Sequence, residues 1–134
     1  MEKMLEIKGL NVDYKVKDGY LSAVKDVNFN INKGEIFALV GESGCGKSTI
    51  AYTIMNLLMN GNEKVTGEIL FDDKNLLQLK MDEMAKIRGS KIGMIFQNPL
   101  DSLNPVYTSG YQVQEALLID KIDKEKAWNR VKSL

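Results

Sequence analysis

The chain has 134 residues and a mass of 15.1 kDa, 44% apolar and 27% charged, which is ordinary composition for one globular domain with a core of its own. Eighteen Lys plus Arg balance eighteen Asp plus Glu, so no excess of positive charge points to nucleic acid or an anionic membrane. A single cysteine forbids an internal disulfide, and the lack of any histidine excludes His-based triads and His-bearing zinc sites. The mostly apolar stretch Ile50 to Met59 is too short to span a bilayer, and the start MEKMLEIKGL carries acids and lacks the long apolar run of a signal peptide. These features are those of a reduced, cytoplasmic chain.

In chain order, Leu5 to Lys8 alternates as a short strand, and Asn11 to Tyr14 continues the alternation toward a loop at Lys17-Asp18-Gly19. Ala23 to Ile31 alternates again and ends in the turn Asn32-Lys33-Gly34. Glu35 to Val40 is a near-continuous apolar run, the pattern of a strand buried on both faces. A glycine-rich segment, 41–47, follows, and Ser48 to Met59 repeats apolar residues at helical spacing. Val65 to Phe71 reads as a strand, Met81 to Ile87 as a helix stopped by Gly89, and Lys91 to Phe96 as a second buried strand. Pro99 and Pro105 stiffen the segment Asn98 to Pro105, which separates an expected core, 1–98, from a second region, 99–134. Ser109 to Ile119 and Asp123 to Val131 complete the chain as helices with acidic starts.

Chemistry concentrates at 41–48. Gly41-Glu42-Ser43-Gly44-Cys45-Gly46-Lys47-Ser48 fits G-x-x-x-x-G-K-S/T in full, set between an apolar run and an apolar helix. Glycines let successive N–H groups curl inward as an anion cradle, and the helix start adds its positive dipole end. Lys47 is placed to reach the β- and γ-phosphates of ATP, the Ser48 hydroxyl to ligate Mg²⁺, and Thr49 to donate toward the α-phosphate. Cys45 serves mainly as a small residue whose backbone lines the loop, although a helix start also favours a thiolate there. Ile69-Leu70-Phe71-Asp72-Asp73 has the form of a metal-holding carboxylate strand. Its position after Thr66-Gly67 and before Lys74-Asn75 favours an edge hairpin with solvated turn acids. Gln97, at the end of the run 91–96, is a candidate to touch Mg²⁺ or an attacking water. Tyr14 is a candidate to stack on adenine, with Tyr20 as its rival.

With Leu5-Glu6-Ile7, Tyr14, Ala23 to Val27, Gly34-Glu35, GESGCGKST at 41–49 and GEILFDDKNL at 67–76, the chain resembles an ABC-transporter nucleotide-binding domain. KIGMIFQNPLDSLNP at 91–105 resembles the Q-loop region of ATP-binding subunits of dipeptide, oligopeptide and nickel importers. The resemblance runs through almost the whole chain. It implies an α/β fold: a partial P-loop core, an antiparallel β subdomain and the start of a helical subdomain. It implies that Tyr14 stacks on adenine, that Ser43, Gly44, Cys45, Gly46, Lys47, Ser48 and Thr49 wrap the phosphates, and that Gln97 senses the γ-phosphate and Mg²⁺.

The same resemblance implies transmembrane permease subunits and a second nucleotide-binding subunit as partners, and a place on the inner face of the cell membrane. A full domain of that family is considerably longer. Its signature motif, Walker B strand, catalytic glutamate and switch histidine are expected beyond Leu134, so this chain reads as the amino-terminal half, inactive alone and prone to self-association. Two other readings stay open. One is a small P-loop kinase, for which Arg88 and Arg130 offer no lid; the other is a non-enzymatic module with a vestigial phosphate loop.

Overall fold

The computed structural model describes residues 2–58, 61–98, 102–119 and 122–134. Tertiary contacts divide the chain into one unit ending at Met84 and a second, Ala85–Leu134. Pro99, where the sequence puts its boundary, and Met59, at the expected end of the first helix, lie outside the described residues.

In the first unit the alternating segments form one long hairpin, β1 (Lys3–Val16) and β2 (Gly19–Asn32), followed by β3 (Glu63–Phe71) and the short β4 (Lys74–Asn75). The sheet is antiparallel in the order β2-β1-β3-β4. Its buried face carries Leu5, Ile7, Leu10, Val12, Ile69 and Phe71. The change of parity between Ile7 and Leu10 needs an extra residue, because side chains alternate faces with a period of two. The ladder supplies it: Lys8 pairs with Glu68 but Asn11 with Thr66, a bulge at Gly9-Leu10. Gly9 adopts φ 55° there, and Asn28 Oδ1 accepts its N–H at 2.7 Å. Gly67 lies so close that a Cβ would stand 2.5 Å from the Gly9 carbonyl oxygen. The rejected carboxylate strand is a hairpin: Phe71 pairs with Lys74, and the turn residues Asp72 and Asp73 both have positive φ, 47° and 60°.

The helix after the glycine segment, α1, is shorter than its periodicity suggests, Lys47–Ile54. It ends in a Schellman motif. Asn56 sits in the left-handed region at φ 49°, its N–H bonds Thr53 O at 2.9 Å, and Leu57 N–H bonds Tyr52 O at 2.8 Å. α2 is Met81–Ile87, with Met84 buried and Gly89 at φ 79° just beyond it.

The two apolar runs do not form strands. Residues 35–40 carry no regular secondary structure and no ladder, and Ile36 and Val40 are 98% and 86% exposed. In the run 91–96 a single bridge joins Ile92 to Arg88, and Ile95 is 91% exposed. An apolar run becomes a buried strand only where neighbours satisfy its N–H and C=O groups. Among the described residues no strand runs beside either segment.

In the second unit α3 (Ser109–Ile119) packs on α4 (Lys124–Lys132). α4 starts as expected, with Asp123 Oδ1 accepting from Glu125 N–H at 3.0 Å and Lys126 N–H at 3.3 Å. α3 has no acid in its first turn; Thr108 caps it instead, its Oγ1 accepting from Tyr111 N–H at 3.3 Å.

Candidate functional site

Three constraints shape the glycine loop at 41–48. Gly44 and Gly46 hold φ at 82° and 90°, conformations that side-chain-bearing residues rarely adopt. Gly46 also has no room for a Cβ, which would stand 2.5 Å from the Ala23 carbonyl oxygen and 3.2 Å from Val24 Cγ2. The loop is therefore seated directly on β2, and only glycine fits at the contact. Lys47 supplies the third constraint: its ammonium donates to Gly41 O at 2.8 Å and Glu42 O at 2.6 Å, and lies 3.3 Å from Cys45 Sγ.

At the start of α1, Gly46 is the N-cap and has no side chain to offer, and the first turn contains no acidic residue. Ile50 N–H bonds Gly46 O at 3.0 Å, whereas the N–H groups of Lys47, Ser48 and Thr49 have no partner among the described residues. Three open donors, a helix dipole without an internal anion and a half-buried lysine together have the chemistry to receive an anion. Ser43, Cys45 and Ser48 are exposed along its rim, and Thr49 is half-buried. The donor set fits a polyphosphate. For a divalent cation it offers the Ser48 hydroxyl, with no cluster of metal-binding side chains among the described residues.

Tyr14 lies within β1 rather than at a strand-to-loop transition, half-buried and paired with Leu21 and Glu63. Tyr20 is 61% exposed on β2. Gln97 belongs to the second unit and ends no strand: residues 93–96 are irregular and Gln97 is exposed in a bend. The glycine spelling made the loop findable from sequence. Its seat on Ala23-Val24 was not, because no local pattern encodes a contact across more than twenty residues. The open first turn does have a signal, the absence of Asp or Glu from 47–50.

The sequence model described as ABC transporter matches residues 24–133. The dipeptide transport ATP-binding protein DppD of Bacillus subtilis (strain 168) is 49% identical over 128 residues, covering 95% of this chain and 38% of that protein. The oligopeptide transport ATP-binding protein OppD of Lactococcus lactis subsp. cremoris (strain SK11) is 40% identical over 127 residues, with 95% and 38% covered. The solved dimeric post-hydrolysis state of the ATP-binding cassette MJ0796, bound to ADP and Pi, matches with a TM-score of 0.81 and 34% identity. That match covers 97% of this chain and 55% of the cassette. The chain thus spans well under half the length of the curated relatives it matches.

Proposed function

Because the chain belongs to the ABC transporter family, we propose that it carries the phosphate-binding part of the ATP-binding subunit of a peptide importer. The observation that carries this reading is the loop at 41–48: three open N–H donors at a helix start, with the Lys47 ammonium beside them. The β- and γ-phosphates of ATP take the place of the Gly41 and Glu42 carbonyl oxygens on Lys47, and the N–H groups of 47–49 close around them. Ser48 presents its hydroxyl to a phosphate-bound Mg²⁺, and Tyr14 and Gln97 serve the adenine and the γ-phosphate. When bound, the nucleotide supplies the free energy of hydrolysis that drives transport.

The whole protein acts as an ATPase with a second nucleotide-binding subunit and permease subunits, at the inner face of the membrane. No helix among the described residues is long and apolar enough to cross it. A nickel importer is the other substrate reading of the same family pattern, and the names of the matched relatives favour peptides.

The 134-residue chain alone binds Mg-ATP without sustained turnover, since the acids that end the apolar strand β3, Asp72 and Asp73, are turn residues of the β3–β4 hairpin. Calorimetric titration with Mg-ATP, with phosphate release followed in the same samples, tests this. Binding should weaken at least about tenfold in Lys47→Ala, the loss of charge-assisted hydrogen bonds to phosphate. Equal binding by Lys47→Ala overturns the assignment. Robust turnover would overturn the inactivity of the chain.

A further inference from the structure

The run 35–40 delivers the chain to the glycine loop with no strand beside it among the described residues. Its contacts with β2 must therefore do what a ladder does elsewhere. At its start, Glu35 N–H bonds Asn32 O at 3.1 Å, and Glu35 Oε2 accepts from Asn32 N–H at 2.7 Å and Asn32 Nδ2 at 2.9 Å. At its middle, the Phe37 ring stacks on Phe29, with centroids 4.8 Å apart and planes 10° from parallel. Farther on, Gly46 rests against Ala23 O and Val24 Cγ2. In chain order the contacts step back along β2, from Asn32 to Phe29 to Ala23-Val24.

The register explains how the stack and the seat come to act together. Phe29 pairs with Ile7 and Val24 with Val12, and opposed residues of a ladder point to the same face. Five positions separate Val24 from Phe29, so strict alternation would put them on opposite faces. The ladder shifts between Leu10↔Val27 and Val12↔Val24, and Asp26 takes up the extra residue at φ 45°, its N–H held by Asn11 Oδ1 at 2.9 Å. Both anchors thus lie on the face of β2 that carries its apolar side chains.

Three residues separate Phe37 from Gly41. The Lys47 bonds to Gly41 O and Glu42 O tie the two ends of the loop to each other, but they do not fix its entry against the sheet. Without the stack, the residues between Glu35 and the Gly46 seat form a tether fastened to the sheet at its ends. A tether has many conformations to lose when a ligand demands one. We infer that the Phe29–Phe37 stack positions the phosphate loop, with Phe37 the positioning residue that aims the chain into Gly41. The donors of 47–49 and the Lys47 ammonium then converge before the nucleotide arrives. This inference rests on the reading of 41–48 as an ATP site.

Mg-ATP affinity is measured by calorimetry on the 134-residue chain and four variants, beside amide exchange at residues 41–50 without nucleotide. Phe37→Leu and Phe29→Leu keep an apolar side chain and lose the stack. Each should weaken Mg-ATP about threefold or more, and the double variant should be little worse than either. Phe37→Tyr keeps the ring, and Phe37 is exposed enough to leave the hydroxyl in water, so this variant should bind like the parent. Ile69→Val removes a buried methyl from β3, away from the loop; it should lower the urea midpoint and leave affinity unchanged. In the two leucine variants the Cys45 and Ile50 amides, which bond Glu42 O and Gly46 O, should exchange several-fold faster. Parental affinity in both leucine variants, or an equal loss in Phe37→Tyr or Ile69→Val, overturns the positioning role. A parent that binds no Mg-ATP overturns the ATP reading instead; exchange then decides the positioning role, and parental rates in both leucine variants overturn it.

Discussion

Gly46 combines two demands that usually occur apart, a left-handed backbone and a contact with no space for a methyl group. Gly46→Ala should therefore lower stability by about 2 kcal/mol or more, the sum of the conformational penalty and a forced retreat from the Ala23 carbonyl. A fall in the urea midpoint at constant slope checks it. The spelling G-K-S announced a glycine here for the sake of phosphate. The seat on β2 is a second reason that only the folded chain shows. At the other end of the unit, Lys3 and Lys8 flank Glu6, at 2.5 Å and 3.1 Å, and hold its carboxyl below the ordinary glutamate range. A depressed carboxylate pKa contributes stability above the unfolded value, and that contribution is lost as pH falls through the folded one. The side chain is half-buried but still reached by solvent, so salt should screen the pair. An NMR titration should find the Glu6 midpoint lowered in dilute buffer and restored toward normal by molar salt or by Lys3→Met with Lys8→Met.

At the scale of elements, what the sequence made legible was local. The hairpin β1–β2, strand β3, helices α2 to α4 and the Asp72-Asp73 turn follow from alternation, helical spacing and turn chemistry, all satisfied within or between neighbouring segments. Three readings failed for related reasons. The runs 35–40 and 91–96 have the composition of buried strands, but composition cannot supply the neighbouring strand that makes one. α1 stops at Ile54 because Asn56 adopts the left-handed conformation that closes a Schellman motif, where the apolar spacing alone runs on. That stop makes a prediction: Asn56→Gly should raise stability by a few tenths of a kcal/mol and Asn56→Ala should lower it by about 1 kcal/mol. Glycine reaches positive φ freely and alanine does not. Thermal unfolding of the two variants in parallel gives the sign of each.

For the whole molecule, the two unladdered runs matter more than any single contact. Ile36, Val40 and Ile95 stand almost wholly in water, and a net charge of zero does little to hold copies apart. An exposed apolar segment outside any ladder can pair with another strand. The chain should therefore sediment above 15.1 kDa with rising concentration, and Ile36→Lys with Val40→Lys should return it to the monomer. A sharply monomeric parent at high concentration would refute this. The same segment has a further use. Among the described residues, the amides of 36–40 have no backbone acceptor, although they sit between the ordered strand β2 and the ordered loop. They should exchange with deuterated solvent at nearly the rate of a free peptide while both flanks stay protected. Any strand that pairs with them, from a second copy or from a longer form of the protein, must slow their exchange first and most. Five consecutive amides thus act as an isotopic gauge of strand pairing at this segment, readable in a mixture and without an attached fluorophore.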